Sequence, residues 1–167
     1  MLYHPPTLQS ARVTYLDGNA GIFQTAQIMR QIVDQYKTSV DIRSLALSIV
    51  DFLPGKDEAG EIAAIFAYVR DKIRYVKDVA GVETLATPDV TLHFGQGDCD
   101  DQSVLLASLL ESIGYQTGFK LVSYGGPTFE HVYVLVHLRG NWFPADPTEA
   151  IEVGSEIPGY VKSAMVI

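Results

Sequence analysis

The stretch Gly95 to Tyr115, GQGDCDDQSVLLASLLESIGY, most constrains what this chain can become. Leu105, Leu106, Leu109, Leu110 and Ile113 recur at helical spacing, and Gly114 follows as a terminator. A stripe so rich in leucine needs a core to lie against, so this helix is expected near the centre of the fold. Asp98 is suited to cap its start, and Asp101, three residues on, resembles the acidic member of a capping box. That register puts the only cysteine, Cys99, at the first helical position.

Helix amides and the helix dipole favour a thiolate there by roughly 0.3 to 1 kcal/mol, and they can also donate to an oxyanion. Asp98, Asp100 and Asp101 oppose the charge, so a nucleophilic Cys99 needs a cationic or proton-accepting partner close by. A lone cysteine is more often a small buried hydrophobe. A helix start flanked by Gly97 and three acids is an unusual place for one. With one cysteine the fold cannot rest on an internal disulfide, and no Cys-rich zinc site can be built.

Around this helix the pattern is that of one mixed domain. Helices are expected over TAQIMRQIVDQY, VDIRSLALSIVDFL and EAGEIAAIFAYVRDKI, the last after the stop at Pro54-Gly55 and a cap at Asp57. Arg74 to Phe94 has no sustained period and reads as a long ordered loop with a short extended piece. After the cysteine helix, GFKLVSY, HVYVLVHL and NWFPADPT read as strands divided by Gly-Gly-Pro and Arg-Gly-Asn turns. Helices first and antiparallel strands later give an α+β domain, with residues 1–23 as an N-terminal arm and 24–167 as the domain proper.

Four histidines could partner Cys99, and the strand HVYVLVHL holds two of them. Its period of two puts His131, Tyr133, Leu135 and His137 on one face and Val132, Val134 and Val136 on the other, the valine face being the natural core face. His131 opens the strand after a turn. His93 and His4 are poorer partners. Asp146 precedes Pro147, which fixes the local chain, and an aspartate so held can orient an imidazole; the plainer reading is an ordinary Asp-Pro-Thr turn.

Taken in order, Gly97-Asp98-Cys99 opening an apolar helix, His131-Val-Tyr-Val 32 residues on (99 to 131), and Trp142 with Asp146-Pro147-Thr148 15 residues further (131 to 146) resemble the transglutaminase-like superfamily. The resemblance extends upstream through IRYVKD and GVETLATP and covers about residues 24 to 149, in the manner of compact single-domain bacterial or phage members. It implies a papain-like α+β fold, the cysteine helix packed on an antiparallel sheet whose adjacent strands present His131 and Asp146. It also implies a cysteine-nucleophile acyl-transfer enzyme in which Cys99, His131 and Asp146 work on amide bonds through a thioester. Peptide or amide hydrolysis is preferred over cross-linking. Gln96 is the candidate second oxyanion donor.

The expected partner is a protein or peptide, a peptidoglycan peptide among the options. A formal charge of −8 sets nucleic acid aside. No membrane association, cofactor or metal is expected: there is no apolar run near the roughly 20 residues a span needs, and no tight ligand spacing joins Cys99 or His131 to other donors. A cytoplasmic location is expected, with a phage particle as the other setting. The rival function is a binding or phage-assembly protein that keeps the fold without turnover.

Overall fold

The structure is a computed structural model that describes residues 18–55, 57–77 and 84–167. Three helices come first, α1 (Gly18–Tyr36), α2 (Val40–Val50) and α3 (Glu58–Lys72). Ser39 and Asp57 cap α2 and α3 through their side chains, Asp57 as its position after Pro54-Gly55 predicts. Residues 18–23, assigned to the arm from sequence, are the first turns of α1, and the rest of the arm lies outside the described residues.

The chain then forms a short strand β1 (Arg74–Tyr75), a helix α4 (Pro88–Phe94) and a second short strand β2 (Gln96–Gly97) that pairs with β1 in parallel. α4 corrects the reading of Arg74–Phe94 as loop. Pro88 in the first turn and Gly95 just past the end, at φ +62°, are the start and stop signals of a helix too short to show a period.

α5 (Cys99–Ser112) follows, and then β3 (Gln116–Ser123), β4 (His131–Leu138), β5 (Asn141–Ala145) and β6 (Lys162–Val166). These four strands form one antiparallel sheet in the order β5-β4-β3-β6. Pro144 is tolerated because β5 is an edge. The sequence pattern carries no forecast for β6, which completes the other edge.

α5 is the axis of the molecule, packed by α1, α2, α3 and α4 and by β3 and β4. The leucine stripe shows one buried face, yet Ser103, Ala107 and Ser108 on the remaining faces are also fully buried. Small residues there let other elements close around the helix. Val132, Val134 and Val136 bring the inner face of β4 into the same core, as the strand's alternation predicts. The outer face carries a smaller cluster of Val122, Tyr133 and Leu135, with Trp142 and Tyr160 against it. Among the described residues no helix is long and apolar enough to cross a membrane.

Candidate functional site

The site is assembled where the start of α5 meets the start of β4. Asp98 is the cap, and its carboxylate accepts from the amides of Asp100 and Asp101 at 3.1 and 3.3 Å. Asp101 returns the bond to the Asp98 amide, closing the capping box. Its other oxygen accepts from the Ala86 amide at 2.7 Å, which ties the segment before α4 to the cysteine helix. Gly97 is required by this packing: a Cβ there would stand 2.6 Å from Cβ of Asp101. Both aspartates act as caps, the role their spacing predicts.

Cys99 is the first residue of α5 and is partly buried. The helix dipole does not decide its charge state. Burial pushes the thiol's pKa well up, Asp100 and Asp98 push it further, and the Val132 amide beside the sulfur opposes them. The thiol donates to Asp100 Oδ1 at 3.5 Å. Proximity to the Val132 amide places the sulfur next to the residue that follows His131.

His131 opens β4, and its Nε2 lies 2.6 Å from Asp146 Oδ2. Asp146 is 4% exposed and follows the last residue of β5, the strand paired with β4. The expected strand NWFPADPT stops at Ala145, because Asp146 turns the chain: its Oδ1 accepts from the amide and the hydroxyl of Thr148, at 3.1 and 2.7 Å. Asp146 is therefore both the turn residue and the histidine's partner. Burial disfavours the imidazolium, but the hydrogen bond and charge of Asp146, with Glu149 and Asp100 behind, outweigh it and raise the pKa of His131.

The other histidines fall elsewhere. His137 sits at the far end of β4 with its ring 5.0 Å from that of Trp142, His93 lies on α4, and His4 is outside the described residues. Gln96 is on β2, its Oε1 accepting from Arg74 Nη2 at 2.7 Å.

Sequence reasoning treats Gln102 and Ser103 as ordinary first-turn residues, but both are fully buried because α5 is enclosed from its first turn. Gln102 donates to the Gly97 carbonyl at 3.2 Å, and Ser103 Oγ to the Val132 carbonyl at 3.4 Å. They fasten the helix start to β2 and to β4. Thr148, in the Asp-Pro-Thr turn, and Tyr133, two residues along the same strand face with its ring 5.8 Å from that of His131, are further neighbours. One oxygen each of Asp98 and Asp100 and the Cys99 sulfur lie within 4.8 Å of one another, the one such donor group among the described residues. The Asp98 carboxylate is already committed to two amides of the cap.

The fold recurs in solved structures. A candidate cysteine protease of Cytophaga hutchinsonii matches with a TM-score of 0.57 at 14% identity, over 82% of this chain and 47% of its own. A candidate protease of Parabacteroides distasonis matches at 0.59 and 14%, over 77% and 27%. The chain thus spans about half of the first and about a quarter of the second. Legionella pneumophila LapG, treated with EGTA, matches at 0.54 and 14%, over 76% of this chain and 74% of its own. No curated protein matches the sequence. The profile of the transglutaminase-like superfamily matches residues 47–147, more than half of the chain, from the last turn of α2 to the Asp146 turn. With its cysteine helix packed on an antiparallel sheet in the papain-like manner, this chain belongs to the transglutaminase-like superfamily.

Proposed function

We propose that the protein is a cysteine-nucleophile acyl-transfer enzyme acting on amide bonds of a protein or peptide, with Cys99 as nucleophile, His131 as base and Asp146 as the group that orients His131. The observation that carries this reading is the 2.6 Å bond from a buried Asp146 to His131 Nε2, beside a thiol lodged against the next residue of the same strand.

The charge balance sets the order of events. Burial and two carboxylates keep the proton on sulfur near neutral pH, so attack needs a base. Asp146 holds Nε2, which leaves Nδ1 to take the thiol proton, and the raised pKa of His131 makes it a stronger base. As the proton leaves, the sulfur adds to the carbonyl carbon and Asp146 stabilises the new imidazolium. The imidazolium returns the proton to the departing amine, and a thioester remains. Water resolves it by the same route. The protease names of two structures that share the fold favour hydrolysis over cross-linking.

The test is alkylation of Cys99 by iodoacetamide in wild-type protein and in His131→Ala. A loss of about ten-fold or more in the variant near neutral pH is expected, since proton transfer from the thiol then has no base. Equal rates in two folded proteins would overturn the reading and favour a binding or assembly protein on the same fold. The high thiol pKa is the observation on that side.

A further inference from the structure

An acyl transfer at Cys99 develops negative charge on the substrate's carbonyl oxygen, and the cap of α5 leaves one amide to meet it. Asp98 takes the amides of Asp100 and Asp101, Asp101 takes that of Asp98, and the Asp98 carbonyl takes that of Gln102. The Cys99 amide stands outside this set. A second donor must come from another element, and the β1–β2 ladder decides which.

In that ladder Arg74 is the register partner of Gln96, and Tyr75 of Gly97. Side chains alternate along a strand and register partners share a face. Arg74 donates to Gln96, so those two side chains occupy one face. Tyr75 and Gly97 share the other. A Cβ on Gly97 would stand 2.6 Å from Cβ of Asp101, so this second face is the one against the first turn of α5. Gln96 is turned away from Cys99. Tyr75 is turned towards it, and bonds from the Arg74 amide to the Gly95 carbonyl (2.9 Å) and from the Val76 amide to the Gly97 carbonyl (3.0 Å) fix its place.

From this placement we infer that Tyr75 is a catalytic residue, its hydroxyl donating, together with the Cys99 amide, to the oxyanion formed when the Cys99 sulfur attacks. The inference rests on the acyl-transfer reading above. As the C–S bond forms, the carbonyl π pair moves to oxygen and is held by both donors; it returns when the C–N bond breaks and the amine leaves with the proton from His131. Tyr75 is 48% exposed, so a substrate can reach it. Burial, and then the charges of Cys99, Asp98, Asp100 and Asp146, keep its hydroxyl protonated above the ordinary range, as a donor must be.

Two reagents separate this role from the others. Iodoacetamide is attacked at a saturated carbon and forms no oxyanion, whereas p-nitrophenyl acetate acylates the thiol through one. Tyr75→Phe should slow release of nitrophenolate roughly 10- to 100-fold, at the low end for an oxyanion donor because the site is open. Its iodoacetamide rate should stay within about two-fold of wild type, which also certifies the fold and the thiol. Unchanged acylation, or an equal fall with both reagents, overturns the inference. Either result leaves the Cys99–His131 reading intact so long as wild-type alkylation depends on His131. Loss of that dependence is the failure of the reading itself.

Discussion

The two faces of β4 differ in chemistry although they alternate along the same eight residues. The inner face presents Val132, Val134 and Val136 to α5, all nearly inaccessible. The outer face presents His131 and Tyr133, and these are satisfied by carboxylates: Asp146 for the imidazole and Glu156 for the phenol, which donates at 2.6 Å. Glu156 in turn accepts from Lys120. Apolar burial is non-directional, so the inner face fixes where the strand lies without fixing any one side-chain angle. Charge-assisted hydrogen bonds are directional, so the outer face can aim a ring. The strand is anchored by one face and made chemically specific by the other.

Substitutions should therefore separate stability from reactivity. Leu106→Ala, on the inner side, removes a fully buried side chain from the centre of α5 and should cost about 2–5 kcal/mol in stability. Urea unfolding would read that loss. Alkylation of Cys99 in the still-folded fraction should stay within about two-fold of wild type, because Leu106 lies about two turns along α5 from Cys99. A rate that fell as far as the stability would end the comparison.

Asp146→Asn, on the outer side, should do the reverse. Asn retains the shape and can still accept from Thr148, but the imidazole loses the carboxylate that sets its tautomer and stabilises its charge. Cys99 alkylation should fall about ten- to a thousand-fold, roughly 1.4 to 4 kcal/mol in barrier. The melting temperature, measured on the same sample, should move by only a few degrees, the size expected for about 1 kcal/mol. An unchanged rate would make Asp146 a turn residue alone.

The smallest effect is a pH dependence. The folded pKa of His131 is raised above its unfolded value of about 6.5, so the protonated form is favoured by folding. The stability it adds is fully present below the unfolded pKa and is lost as pH rises through the folded one. The stability difference between wild type and His131→Gln should shrink as pH rises above the unfolded value of about 6.5. A difference that grows with pH would mean that burial, not Asp146, governs the ring. Alkylation should follow the opposite course, rising as His131 loses its proton and becomes available as a base.

The elements that repeat a pattern over three or more turns, or over eight alternating residues, were legible in the chain: α1, α2, α3, α5 and β4; the turn at Asp146 was legible from Asp-Pro-Thr alone. α4 was not, because seven residues give two turns and no stable period, although Pro88 and Gly95 marked its ends. β6 was silent because edge strands with one half-exposed face carry little apolar signal. Gln102 and Ser103 misled for another reason: polarity says a residue can face water, and nothing local says that four helices and the sheet will close around it.

By itself the sequence determined the local chemistry: a thiol at a capped helix start, a histidine at a strand start, an aspartate locked before proline, in that order. Those follow from backbone propensity and hydrogen bonding within a few residues, which short stretches encode. Tertiary structure alone decided which groups meet. It joined His131 to Asp146 through the β4–β5 pairing and buried Cys99 until its thiol holds its proton. It also paired Arg74 with Gln96 and Tyr75 with Gly97 across the β1–β2 ladder. Desolvation and charge act through space at ångström range, so no spacing along the chain can report them.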